Sequence, residues 1–155
     1  MEFDSQEQPS RIDKFCLENR IEEIDRVIDF CARCFPKAIL WNCQTAMVEA
    51  FVNAVKHAHH EKPASTLIWL EILHFKQWVE FRVWDQGAVF DWEGTLQVKL
   101  ADPPGPNATS GRGMIWIYKL TDHVEYIRVN DKWNCLKMYK WRKDSGMGGN
   151  TGSTI

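Results

Sequence analysis

The sequence predicts an α+β two-layer sandwich, with helices grouped on one face of a mostly antiparallel sheet. Three observations predict it. Apolar residues recur at helical spacing through the first third of the chain. The period then changes to two. A hairpin pattern closes the chain.

Each element follows in order. Residues 1–10 read as a flexible polar arm. Residues 11–17 fit a short edge strand. From Glu18 onward, Ile21, Ile24, Val27, Ile28, Cys31 and Phe35 keep helical spacing, and Pro36 stops that helix. A second helix is expected from about 42 to 60, closed by Pro63. Residues 66–74 alternate around Ile68, Leu70 and Ile72, and residues 78–84 around Val79, Phe81 and Val83, so both read as strands. Residues 86–113 are rich in Gly, Pro and polar groups and read as a long binding loop or lid. Residues 114–120 fit a short helix. Residues 124–129 and 134–141 fit a hairpin turning at Asn130 and Asp131. The glycine-rich tail, 144–155, is expected to be disordered. The domain proper is therefore 11–143.

Composition sets outer limits. The chain has 155 residues, 45% apolar and 26% charged, which is ordinary for one globular domain. Nineteen basic residues against twenty-one acidic ones give a net charge of −2, which argues against nucleic-acid binding through bulk charge. No apolar run reaches a membrane span, and the first residues lack a signal-peptide core, so the cytoplasm is the expected compartment. Five cysteines are then expected as reduced thiols. Cys31 and Cys34 have metal or redox spacing, but inside a helix they share one face and read as core. The eight tryptophans read as core and interface bulk.

Three short motifs carry chemistry. The first is in the second helix. Advancing 100° per residue, Val48, Phe51, Val52 and Val55 form a core stripe, and Ala50, Ala54 and Ala58 a small-residue stripe. Between them runs a narrow file of Glu49, Asn53, Lys56 and His57, placed to line a pocket. Asn53 offers a neutral oxygen of the kind Mg²⁺ accepts. Lys56 is a point charge for phosphate, and Glu49 a candidate general base. The plain alternative is a part-exposed helix with satisfied polar groups.

The second motif is Asp85-Gln-Gly87. Asp85 shares parity with the core-facing Val79, Phe81 and Val83, so it points inward at the strand end. A buried carboxylate needs a donor, and a ligand amine is one. Gly87 would let a ligand approach the backbone. The plain alternative is an Asp-Gly turn. The third motif is Gly111-Arg-Gly113, opening the apolar run that begins at Met114. Glycines at a helix start let backbone N–H groups converge on an anion. The plain alternative is a hinge.

Glu49-x-x-x-Asn53-Ala-x-x-His57-Ala, Asp85-x-Gly87 and Gly111-x-Gly113, in that order, resemble the motif set of the histidine-kinase-like (Bergerat-fold) ATPases. The resemblance covers about residues 11–142. The run Gly-Arg-Gly-Met-Ile-Trp-Ile ahead of Thr121-Asp122 is similar to the anti-sigma-factor serine/threonine kinases. The resemblance implies ATP and Mg²⁺ as cofactors. It implies that Asn53 holds the metal and Asp85 the adenine amino group, with the base packed against Gly87. Gly111 and Gly113 would offer main-chain N–H groups to the phosphates, with Lys56, Arg112 and Met114 as further nucleotide contacts. His57 belongs to the motif and is expected as a satisfied structural histidine. Relatives of this branch can carry a basic residue just before the glycines, where this chain has Thr109 and Ser110.

Glu49 separates the branches. An imidazole acceptor needs no strong base, whereas a serine hydroxyl benefits from a carboxylate that takes its proton. Glu49 therefore favours a serine/threonine kinase or an ATPase over a histidine kinase. The resemblance to the anti-sigma branch implies a protein serine/threonine kinase that phosphorylates an anti-anti-sigma partner of the STAS class, with a sigma factor as a second partner. A homodimer is a possible state, and neither nucleic acid nor membrane is an expected partner. The competing expectation is a non-catalytic module of the same fold that works by holding a partner.

Overall fold

The computed structural model describes residues 2–108 and 111–142. The expected disordered tail, 144–155, lies outside them, as do Thr109 and Ser110. The elements run β1 (Arg11–Glu18), α1 (Ile24–Cys34), α2 (Leu40–Asn53), β2 (Leu67–His74), β3 (Trp78–Asp85), α3 (Trp92–Ala101), α4 (Gly113–Leu120), β4 (His123–Val129) and β5 (Trp133–Trp141). The strands form one antiparallel sheet in the order β1-β2-β3-β5-β4. This is the expected α+β sandwich.

Period-two alternation puts Ile68, Leu70, Ile72, Phe81 and Met138 on the inner face of the sheet, all fully buried. Phe51, Met47 and Ile117 meet them from the helices. α2 is the middle of the helical layer, in contact with α1 on one side and α4 on the other. Its buried stripe is Cys43, Ala46, Met47, Ala50, Phe51 and Ala54. This corrects the sequence reading. Phe51 of the expected core stripe is fully buried, but Val48 and Val55 pack only at the rim, and Ala50 and Ala54 of the alanine stripe join Phe51 in the core. Small residues on the middle helix permit close approach on two sides.

Two further elements differ from expectation. The stretch read as one long loop contains α3, whose Asp91 caps it by accepting from the Gly94 N–H at 3.0 Å. Its apolar residues do not keep to one face, since Trp92 and Leu96 are buried one turn apart but Val98 is 70% exposed. The second expected helix stops at Asn53 and continues as a π turn over Ala54–Ala58, closed by the His59 N–H on the Ala54 carbonyl at 2.8 Å. Such widened turns are frequent at functional sites.

The arm has contacts of its own. Phe3 stacks on Trp141 with ring centroids 4.3 Å apart, and Ser10 N–H donates to the His74 carbonyl at 2.8 Å. The CxxC pair is built into α1. Cys31 is fully buried, its thiol pushed up to about 12 by burial and donating to Met47 Sδ at 3.6 Å. Among the described residues no helix is long and apolar enough to cross a membrane.

Candidate nucleotide site

α2 is the shared wall of the three motifs. At one end, Glu49 and Asn53 lie one turn apart and face the head of α4. A Cβ placed on Gly113 would stand 2.7 Å from Glu49 Oε2 and 3.4 Å from Asn53 Oδ1. Residues sixty apart in sequence therefore enclose one space, and any side chain at 113 would enter it. Burial pushes the Glu49 carboxyl above its ordinary value, and the Lys56 ammonium pulls it partly back. Lys56 is thus within electrostatic reach of Glu49, although it is itself exposed.

At the other end, the π turn meets the Asp85 motif. A Cβ on Gly87 would fall 2.6 Å from the Ala58 carbonyl oxygen and 2.8 Å from Ala58 Cα. A close approach that requires glycine at 87 is therefore made by this chain's own backbone. The widened turn carries Ala58 into that contact.

Asp85 ends β3 half-buried, as its parity predicted. Its Oδ1 accepts from the Gly87 N–H at 2.8 Å and from Asn134 Nδ2 at 2.9 Å. Asn134, its register partner on β5, was not singled out from the sequence. It is fully buried, and its amide also donates to the carbonyls of Gly87 and Ala88. Arg128 Nη1 closes the group, donating to Asn134 Oδ1 at 2.9 Å and to the Gly87 carbonyl at 2.8 Å. A lone Asn in a closing strand gives no signal by itself. Its role becomes visible only when strand pairing sets it opposite Asp85. Asn134→Ala is expected to cost about 2 kcal/mol, because it strips a donor from the buried Gly87 carbonyl and from the half-buried Asp85 carboxylate and leaves Arg128 without its Asn134 acceptor. Urea denaturation monitored by tryptophan fluorescence measures that cost.

His57 is exposed, contrary to the expectation of a structural histidine. Its near neighbour His59 is buried instead, 1% exposed. Its Nε2 accepts the Gln86 N–H at 2.7 Å, which fixes the backbone next to Asp85 and requires a neutral ring. Burial holds the ring below its ordinary pKa, against an opposing pull from Asp85.

The glycine loop is covered. Gly111 has φ +89°, a conformation that favours glycine. Pro104 of the proline segment packs over it. Lys99 Nζ, from α3, donates to the Gly111 carbonyl at 3.3 Å. The Arg112 guanidinium donates to the Gly105 carbonyl, so in this structure it ties down the proline segment. The Met114 side chain is buried in the core, which leaves only its backbone at the helix head for a nucleotide. The basic group that reaches the loop from another element is thus Lys99, which the sequence reading passed over because α3 itself went unrecognised.

These residues fit an ATP–magnesium group. Asn53 supplies a neutral oxygen, and Mg²⁺ draws most of its remaining ligands from phosphate and water. The head of α4 presents N–H groups with no intrahelical acceptor. Asp85 Oδ2 has no hydrogen-bond donor among the described residues, which leaves it for an amine.

A family model described as a histidine kinase-like ATPase domain matches residues 17–140. No curated protein matches the chain. Among solved structures, the chain is similar to the histidine kinase domain of the E. coli osmosensor EnvZ, determined by NMR. The identity is 15% and the TM-score 0.45, over 89% of this chain and 92% of that one.

Proposed function

Since the chain belongs to the histidine kinase-like ATPase domain family, we propose that it is an ATP-dependent protein serine/threonine kinase of the anti-sigma type. Its substrate is an anti-anti-sigma protein of the STAS class, and a sigma factor is its second partner. The observation that carries this reading is the Glu49 carboxylate beside Asn53 at the glycine that opens α4.

Each residue then has a task. Asp85, held by Asn134 and the Gly87 N–H, accepts the adenine amino group through its second oxygen. Asn53 holds magnesium. The metal it would hold would supply positive charge to offset that on the transferring phosphoryl group. The N–H groups at Gly113 and Met114 orient the phosphates, with Lys56 and Lys99 nearby as cations. Glu49 takes the proton from the acceptor hydroxyl as phosphorus is attacked, and its raised pKa suits it to that step. The proline segment must lift from Gly111 to admit nucleotide, which releases the Lys99 and Arg112 contacts.

Labelled ATP incubated with the protein and candidate STAS partners tests the proposal. Transfer to a partner serine supports it. A stable complex without transfer replaces it with the partner-holding module. Calorimetry tests the site itself. Wild type is expected to bind Mg-ATP with micromolar affinity, about −8 kcal/mol. Asn53→Ala is expected to abolish magnesium-dependent binding, and unchanged binding would overturn the assignment of Asn53.

A further inference from the structure

The turn that carries Asp85 and Gly87 is held from the side by a ring. His59 closes the π turn, and its main chain is fixed on both sides. Its N–H donates to the Ala54 carbonyl at 2.8 Å. Its carbonyl accepts from the Lys62 N–H at 2.9 Å and from Asn19 Nδ2 at 3.4 Å. The imidazole, buried on this anchored backbone, is a fixed post. Its Nε2 accepts the N–H of Gln86, the residue between Asp85 and Gly87, at 2.7 Å. Gly87 in turn abuts Ala58. Residues 58 and 59 thus grip residues 86 and 87, and Asp85 takes its aim from that grip.

The grip works in one protonation state. With Nε2 as the acceptor, a neutral ring carries its proton on Nδ1. That Nδ1 is buried and has no hydrogen-bond partner among the described residues. A second proton would go to Nε2, opposite a backbone N–H that is already a donor. The imidazolium would then present two N–H groups, one facing a donor and the other no acceptor, in a ring shut off from water. A charge so placed is not held, so either the ring turns out or the Gln86 bond opens. Burial disfavours the charged form most, and it keeps the ring below its ordinary value of about 6.5. Two charged groups also bear on the ring among the described residues. Asp85, from β3, favours the charged form, and Lys62, from the segment after the π turn, opposes it. Asn19, which reaches the His59 carbonyl from just after β1, is neutral.

We propose that His59 is the positioning residue of the Asp85 turn and makes nucleotide binding pH-sensitive: the neutral ring holds the turn in its binding form, and a protonated ring releases it. The inference rests on the reading of Asp85 as the adenine contact, and adds a regulation of that same site. Linkage fixes the sign. The binding form carries one proton fewer on His59 than the released form. Acid therefore favours release, and nucleotide affinity falls as pH drops through the histidine range. The coupling is reciprocal, so nucleotide that braces Asp85 makes the ring harder to protonate.

Two measurements on the full chain test the proposal. In isotope-labelled wild type without nucleotide, the Gln86 amide resonance is expected to titrate together with the His59 ring between about pH 7.5 and about pH 5. A Gln86 amide that stays put as the ring charges overturns the proposal. This measurement needs no variant, so it decides even where a substitution unfolds the chain. Mg-ATP calorimetry over the same range reads the coupling. Wild-type affinity is expected to fall about tenfold more than that of His59→Gln, whose side-chain oxygen accepts the Gln86 N–H at any pH. At about pH 7.5, His59→Gln is expected to bind about threefold more weakly than wild type. His59→Phe, which keeps a ring but has no acceptor, is expected to bind about tenfold more weakly throughout. Glu49 and the triphosphate are present in all three titrations, so the difference between the profiles belongs to His59. Equal pH dependence of wild type and His59→Gln overturns the proposal and leaves the nucleotide site standing. Absence of Mg-ATP binding by wild type at about pH 7.5 overturns the nucleotide reading, and this inference with it.

Discussion

Glu49→Gln is expected to lower the rate of phosphoryl transfer by about 10²–10⁴, the range lost with a positioned general base. That is about 3–5 kcal/mol of transition-state stabilisation. Mg-ATP affinity is expected to stay near wild type, because glutamine fills the same volume beside Gly113 and Asn53 is untouched. Single-turnover transfer to a STAS substrate, with calorimetry on the same sample, separates the two quantities. The pH profile adds an independent reading. A base works only when deprotonated, so transfer falls as pH drops through the Glu49 pKa. Burial raises that pKa above its ordinary value, so the acid limb is expected above the usual carboxylate value of about 4.3. Glu49→Gln should lack this limb. A Gln variant that transfers at the wild-type rate sinks the general-base role.

Gly87→Ala is expected to act on the fold first. The added Cβ would meet the Ala58 carbonyl oxygen at 2.6 Å and Ala58 Cα at 2.8 Å. Both are backbone atoms, so relief requires moving either the π turn or the Asp85 turn. Overpacking of this kind costs about 3 kcal/mol, or a fall in Tm of about 10 °C for a domain of this size. Displacing Gly87 also strains the carbonyl held by Asn134 and Arg128. Nucleotide affinity is therefore expected to fall together with stability. Thermal unfolding and ATP titration measure the pair. A variant with wild-type Tm would show that the two segments do not meet as described.

Much of the architecture could be read from the chain because its signals are local. The strands 66–74 and 78–84 were legible from alternation, and the observed β2 and β3 differ from them by one residue each. The closing hairpin was legible for the same reason, with Asn130 at φ 53° in its turn. α3 was not legible. Gly94 and the exposed Val98 break the pattern on which a periodic reading depends, and the Asp91 cap alone is a weak signal. Nor was the break in the second helix at Asn53, since nothing in Ala54–Ala58 distinguishes a π turn from an α turn until Gly87 packs against it.

For the site, the sequence named Glu49, Asn53, Asp85 and Gly113 from their order and spacing. The fold sets Glu49 and Asn53 against Gly113, and Ala58 against Gly87. It packs Gly87 against the backbone of Ala58, turns Arg112 toward Gly105, and exposes His57 while burying His59. It also adds Asn134, Arg128 and Lys99, none of which belongs to a motif.

The sequence by itself determined the fold class, the order of its strands and most helices, and the chemistry available along one file of α2. These follow from side-chain periodicity and residue type, which act over a few neighbours. Only the tertiary structure decided which donors hold Asp85 and which cation reaches the glycine loop from α3. Those contacts join residues tens of positions apart. They depend on strand register and on the close approach of backbones, and neither is written in any local stretch of the chain.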